Sequence, residues 1–273
     1  MNPASRLPEV VKNLLIINGL MLLFKIVMGT DSLGRSAVDT WLGLHEIGSP
    51  DFKPWQVITH MFLHAGPGSG PGWYWHIASN MFALFMFGGP IEHVMGSKRF
   101  LKYYLLCGLG AAALQMSVSY AETQVAVAEL HEYGVGTDEV KSMVVASHIS
   151  TDEANRVLND IVDKHPGSSQ AVKAMFWNYA GVMVGASGAI FGILIAFGMF
   201  FPNVELFLLF LPIPIKAKYF VALYGLWELF SGVSQRPGDN VAHYAHLGGL
   251  IFGFLLIRHW RKKGVLDHTG GGW

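Results

Sequence analysis

The chain has 273 residues, 52% of them hydrophobic and only 14% charged, against about 25% charged in an ordinary globular domain. Lys plus Arg equals Asp plus Glu, at 19 each, so no net charge points to nucleic acid. The 32 glycines follow no G-x-y period, which excludes collagen and fits closely packed membrane helices. The single Cys107 excludes an internal disulfide.

A membrane-crossing helix needs roughly 20 mostly apolar residues. The first such run, 11–28, lacks a small-x-small cleavage pattern and reads as a retained span. Lys25 lies near its far end, where its side chain is expected to snorkel to the interface. Residues 29–75 read as an irregular external loop, because Gly-Pro-Gly-Ser-Gly-Pro-Gly occupies 66–72. Trp73, Tyr74 and Trp75 follow, an aromatic cluster suited to the membrane–water boundary. The second and third spans are expected at 76–95 and 100–120.

Residues 121–174 are polar and acidic and read as a small external helical insertion, too short to form an independent domain. Within it, Ser150 and Glu153 have capping-box spacing ahead of Ala154, Val157, Leu158, Ile161 and Val162, one face of a helix ended by Pro166 and Gly167. Residues 137–149 are expected to be helical as well. Further spans are expected at 187–201, 218–233 and 241–258, followed by a short cytoplasmic tail, 261–273. Several of these runs are short, and a short helix leaves room above it for water. The predicted class is therefore an all-α membrane protein, a bundle of six transmembrane helices. Basic residues crowd the short connections (Lys98, Arg99, Lys102, Lys216, Lys218, Arg261), so the positive-inside rule places both termini in the cytoplasm.

Polar residues inside spans are costly and therefore informative. Ser187 sits in Gly-Ala-Ser-Gly-Ala-Ile-Phe-Gly (185–192), where small neighbours leave the hydroxyl accessible; Gly185 and Gly188 would let a substrate backbone come close. The same stretch is what close helix packing selects. His246 sits in Ala-His-Leu-Gly-Gly (245–249) and is a candidate base. Gly249 and Gly253 form a G-x-x-x-G face that could dock on Gly188 and Gly192, which would bring Ser187 and His246 to one depth. His243, one turn nearer the external rim, is the rival base. His76 and Asn80, at i and i+4, project from one helix face and could stabilise an oxyanion or simply bond two helices together.

Together these three stretches resemble the rhomboid intramembrane serine proteases, over roughly residues 50–260 apart from the insertion. The resemblance implies a compact six-helix bundle with a water-filled cavity open to the external side, and a Ser–His dyad without an acidic third member. By position, Ser187 would be the nucleophile and His246 the general base. His76, Asn80 and the Ser187 N–H would form the oxyanion hole, and Phe191 would lie against the imidazole. His60 and His64 match the family's histidine-containing approach to the second span, and Glu92 in G-x-x-x-E-x-x-x-G (88–96) would be a structural partner. The implied partners are transmembrane-protein substrates and the lipid bilayer, with no nucleic acid, metal or cofactor, and the implied location is the bacterial cytoplasmic membrane. Gln56 stands where many members have Arg, residues 66–75 lengthen the approach to His76, and the insertion is longer than in minimal members.

Three other readings compete. His60 and His64 are at i, i+4, but no glutamate lies between them to make the zinc-protease pattern H-E-x-x-H. A catalytically inactive relative would bind membrane helices without cutting them. Glu228, in the fifth span, is the one feature favouring an ion path, although a single buried acid is also an ordinary interhelical partner.

Overall fold

The computed structural model describes residues 7–31, 35–208, 211–234 and 241–266; part of the expected tail, 267–273, lies outside them. Helix α1 (Glu9–Met28) starts at Pro8, and its first N–H groups are capped from another helix. Glu92 accepts from the N–H of Val10 (3.0 Å) and Val11 (2.8 Å), while Ser97 Oγ donates to the same carboxylate (2.6 Å). A carboxylate at a helix N-terminus meets the positive end of the dipole. Ile16, Leu20, Leu23, Phe24 and Val27 leave one apolar side of α1 exposed, as expected of a surface solvated by lipid.

Lys25 does not snorkel. It is buried, 2.5 Å from the Asp39 carboxylate, and donates to the His64 carbonyl at 2.8 Å. A buried ammonium needs charge and acceptors, and the loop supplies both closer at hand than a headgroup could. That loop carries α2 (Ala37–Leu42) and the short α3 (Gln56–Thr59). Gln56 ties it together: its Oε1 accepts from the Lys53 N–H (2.9 Å), and its Nε2 donates to the carbonyls of Asp51 (2.9 Å) and Thr40 (3.1 Å).

Helices α4 (Trp73–Ala83) and α5 (Gly89–Met95) run on through a wider π turn, Leu84–Gly88, and together cover the expected second span. The third does not end at 120. Helix α6 (Ser97–Glu132) continues for a further twelve residues, so the insertion begins later than expected. Residues 121–132 hold no Gly or Pro and are rich in Ala, Glu and Gln, strong helix formers; the helix stops just before Gly134, whose φ is +74°. Helices α7 (Thr137–Ser147), α8 (Thr151–Lys164) and α9 (Ser169–Ala180) follow, carrying the insertion to 180. Ser150 Oγ accepts from the Glu153 N–H (3.1 Å), capping α8 where expected. These helices and the end of α6 share a core of their own, including Leu130, Val140, Leu158, Ile161, Val172 and Met175. Arg35 bonds Ser147, and His148 meets Asp51 at 3.0 Å, so the insertion is fastened to the first loop.

Helices α10 (Ser187–Phe200), α11 (Ala217–Ser234) and α12 (His243–Lys262) correspond to the last three expected spans; α12 takes in the first two residues of the expected tail. Between α10 and α11 lies a hairpin, β1 (Glu205–Leu208) and β2 (Leu211–Lys216), antiparallel with Glu205 opposite Lys216. It is the departure from an all-helical reading, and Pro212 and Pro214 explain it, because neither sits easily inside a helix. By length and composition, α1 and α6 are able to cross a membrane, and α10 is a shorter apolar helix.

The core is built where α6, α10 and α12 meet through glycine. A Cβ on Gly249 would stand 1.8 Å from the Gly188 carbonyl oxygen, one on Gly188 2.4 Å from Ala111 Cβ, and one on Gly253 3.0 Å from Gly192 Cα. Tyr103 Oη donates to the Gly192 carbonyl at 2.6 Å. Gly249→Ala is accordingly expected to force α10 and α12 apart at a cost of roughly 1–3 kcal/mol. Thermal unfolding in detergent should show a lowered midpoint for it, while Gly19→Ala, at a glycine with nothing within 4 Å, should stay near the native value.

Candidate active site

Ser187 is the first residue of α10. The chain reaches it extended, through a bridge between Leu44 and Met183 and a hydrogen bond from the Gly185 N–H to the His60 carbonyl (3.0 Å). Gly185 takes φ +139°, and a Cβ there would meet His76 Nε2 at 3.1 Å and Ser187 Oγ at 3.5 Å. Only glycine suits both the backbone and the space. Standing at a helix start, the Ser187 N–H has no intrahelical acceptor and lies at the positive end of the dipole.

His246, one turn into α12, brings Nε2 to 2.8 Å from Ser187 Oγ. Phe191, one turn along α10, stacks on its ring with centroids 4.2 Å apart and planes 11° from parallel, and is itself packed by Tyr224. With Nε2 as the acceptor of the Ser187 hydroxyl, a neutral ring has its proton on Nδ1. Nδ1 lies 2.9 Å from Glu228 Oε2, outside hydrogen-bonding direction, so that this contact acts chiefly through charge. The same oxygen is bonded by His243 Nδ1 at 2.6 Å. His243 is thus not beside the serine; it holds the acid. Glu228, His243 and His246 offer ligand atoms within 4.8 Å of one another and could hold a cation, although ion pairing among them already accounts for their closeness.

His76 accepts the Ala65 N–H at Nδ1 (3.1 Å), which leaves the proton of its neutral ring on Nε2, the atom facing Gly185 beside Ser187. Asn80 lines the same cleft, but its amide nitrogen donates to the His76 carbonyl (2.7 Å) and its Oδ1 is buried without a partner. In this arrangement His76, not Asn80, presents its donor to the serine segment. His64 supports it: the rings are 5.2 Å apart, and His64 Nε2 pairs with Asn18 Oδ1 on α1 (2.8 Å). His60 bonds Gln56 through Nδ1 (2.8 Å) and, through its carbonyl, Gly185. Gly188 makes no visible room for substrate; it is consumed by the contact with Ala111 and Gly249. Ser187, Phe191, His76, Asn80, Glu228, His243 and His246 line a cleft of about 980 Å³, to which Trp177 and Val182 contribute from the insertion end and Tyr224 and Trp227 from α11.

Sequence reasoning did not connect Glu228 to the histidines. A usable signal was present: Glu228, Ser231 and Gly232, at i, i+3 and i+4, form one buried face of α11, and a polar face of a membrane helix turns inward.

The fold and site together are those of an apolar helical bundle with a serine and an imidazole paired in a cleft between its helices. A family model for the rhomboid domain matches residues 51–162 and 167–262, and the chain belongs to the rhomboid family. It is an integral membrane protein of a family whose members are usually intramembrane serine proteases. No curated protein matches the chain.

Burial lowers the pKa of His60 to about 4 and of His64 to about 3, in the second case with help from the nearby Lys25 and His76. Unfolded, both titrate near 6.5, so the unfolded chain binds more protons below that pH. The stability they contribute is complete above pH 6.5 and is lost as pH falls toward 4. The unfolding midpoint in detergent is expected to drop between pH 7.5 and 5, with a shallower drop for His60→Asn, whose amide can keep the Nδ1 bond.

Proposed function

We propose that this chain is an intramembrane serine endopeptidase that hydrolyses peptide bonds within or near transmembrane segments, with Ser187 as nucleophile and His246 as base. The observation that carries the reading is the 2.8 Å contact between Ser187 Oγ and His246 Nε2, with the imidazole fixed on Phe191 at the floor of the cleft. The membrane arrangement belonging to this reading is six spans, formed by α1, α4 with α5, α6, α10, α11 and α12. Both termini are cytoplasmic, the cleft opens externally, and the membrane is the bacterial cytoplasmic one.

In the reaction, Ser187 Oγ attacks the scissile carbonyl carbon while its proton passes to His246 Nε2, and the carbonyl oxygen becomes an oxyanion. The Ser187 N–H and His76 Nε2–H face that charge, with Asn80 available after rotation of its amide. Collapse of the intermediate breaks the C–N bond, and Nε2 gives its proton to the leaving amine. Water then attacks the acyl group, its proton returns through Nε2 to Oγ, and the new carboxyl end departs. Substrate helices must unwind locally, because a helical carbonyl is already hydrogen-bonded. A hydrated cleft at membrane depth is tolerated because protein encloses it.

Purified protein in detergent should cut a generic transmembrane reporter. Ser187→Ala and His246→Ala should each lower the rate by roughly a thousand-fold or more, as for members of a nucleophile–base pair. Equal behaviour of the three proteins would overturn the protease reading and favour the inactive, helix-binding alternative.

A further inference from the structure

We propose that Glu228 supports the dyad, as a positioning residue whose carboxylate, 2.9 Å from His246 Nδ1, offsets the charge the ring gains when it takes the serine proton. This deepens the protease reading and rests on it. The carboxylate oxygen Oε2, the His246 ring and Ser187 Oγ form a line across α11, α12 and α10, with contacts of 2.9 and 2.8 Å. That order of acid, imidazole and hydroxyl shares one part of a catalytic triad's logic: the acid stabilises the imidazolium by its charge without itself becoming protonated, here without the Nδ1 hydrogen bond of a full triad.

The acid is in turn held. Its side chain is 4% exposed and His243 Nδ1 bonds it at 2.6 Å. An interhelical clip alone would need only His243. The second Nδ1 on the same oxygen belongs to the one imidazole that touches the serine. Facing His246 are Ser187 and Phe191 from α10, Glu228 and Tyr224 from α11, His243 from its own helix and His76 from α4, with Gln115 and Glu122 of α6 on the cleft wall. Glu228 is the group among these that directly meets Nδ1 with negative charge. During attack the proton moves from Oγ to Nε2 while Nδ1–H stays in place, and the carboxylate opposite the new positive charge lowers the barrier by electrostatics rather than by proton transfer.

The test compares native protein with Glu228→Gln, Glu228→Asp and His243→Asn in two assays: cleavage of the transmembrane reporter, and the rate at which a fluorophosphonate probe labels Ser187. Glu228→Gln should lower kcat and the labelling rate together, by roughly ten- to a hundred-fold, with KM within about two-fold of native. Glu228→Asp should recover most of both. His243→Asn should lose less than Glu228→Gln, because it loosens the acid without removing its charge. Native kcat and labelling in Glu228→Gln would overturn the proposal. So would a loss that Glu228→Asp fails to recover and that tracks a lowered unfolding midpoint, since that pattern assigns Glu228 to packing. Native protein that neither cuts nor labels is a separate result: the protease reading falls, and this proposal with it.

Discussion

The contact on which this structure depends is that between the backbones of Gly188 and Gly249. Between helices in lipid there is no hydrophobic drive, since acyl chains are as apolar as leucine; close packing and hydrogen bonds must hold them together. Two glycines remove the side-chain layer that ordinarily separates helices, so α10 and α12 touch main chain to main chain, and Ala111 of α6 closes the third side. The depth of the contact fixes everything above it. Ser187 lies one residue before Gly188 and His246 three before Gly249, so a reach of 2.8 Å between their side chains follows from where the two helices meet.

Around this joint, polar atoms divide into two populations. One holds the frame: Glu92 caps α1, Lys25 bonds the His64 carbonyl and Gln56 gathers the first loop. The other is buried without a hydrogen-bond partner, and much of it lies along the cleft: Asp39 Oδ1, both ring nitrogens of His45, Asn80 Oδ1, Gln115 Oε1 and Thr123 Oγ1. Unpartnered polar atoms are rare in a folded interior and ask for explanation. Here they concentrate along the one surface that forms the cleft.

The helical architecture was legible because it depends on local composition. Apolar runs marked α1, α10, α11 and α12, Ser150 marked the start of α8, and the G-x-x-x-G face of α12 pointed to its partner. What failed had non-local causes. The length of α6 depends on residues 121–132, whose polarity argued for a surface segment while their helix propensity extended the span. Lys25 was assigned to the interface because its acceptors, Asp39 and the His64 carbonyl, come from fourteen and thirty-nine residues away in a loop of no regular pattern. The hairpin at 205–216 falls in a connection to which the sequence assigned no regular structure, because its pairing joins residues across a turn rather than along one run. Of the site residues, Ser187, His246, Phe191 and His76 lie next to one another. Asn80 is turned back on its own helix, and Glu228 joins the group through a face of α11 that periodicity would have shown.

The unbroken length of α6 has a geometric consequence. Thirty-six residues at about 1.5 Å each make a rod of roughly 54 Å, against a hydrocarbon layer of about 30 Å. Its far end carries the separate core of α7, α8 and α9, and the end of α9 returns as part of the cleft wall. A continuous helix has no joint, and the bonds from Arg35 and His148 brace the overhang against the first loop. The result is a rigid eave at a set height beside the mouth of the site. Trp177 and Asn178 of α9 stand in the cleft wall at the end of this overhang, so the width of the cleft on that side is set by a helix that begins at the opposite end of the bundle.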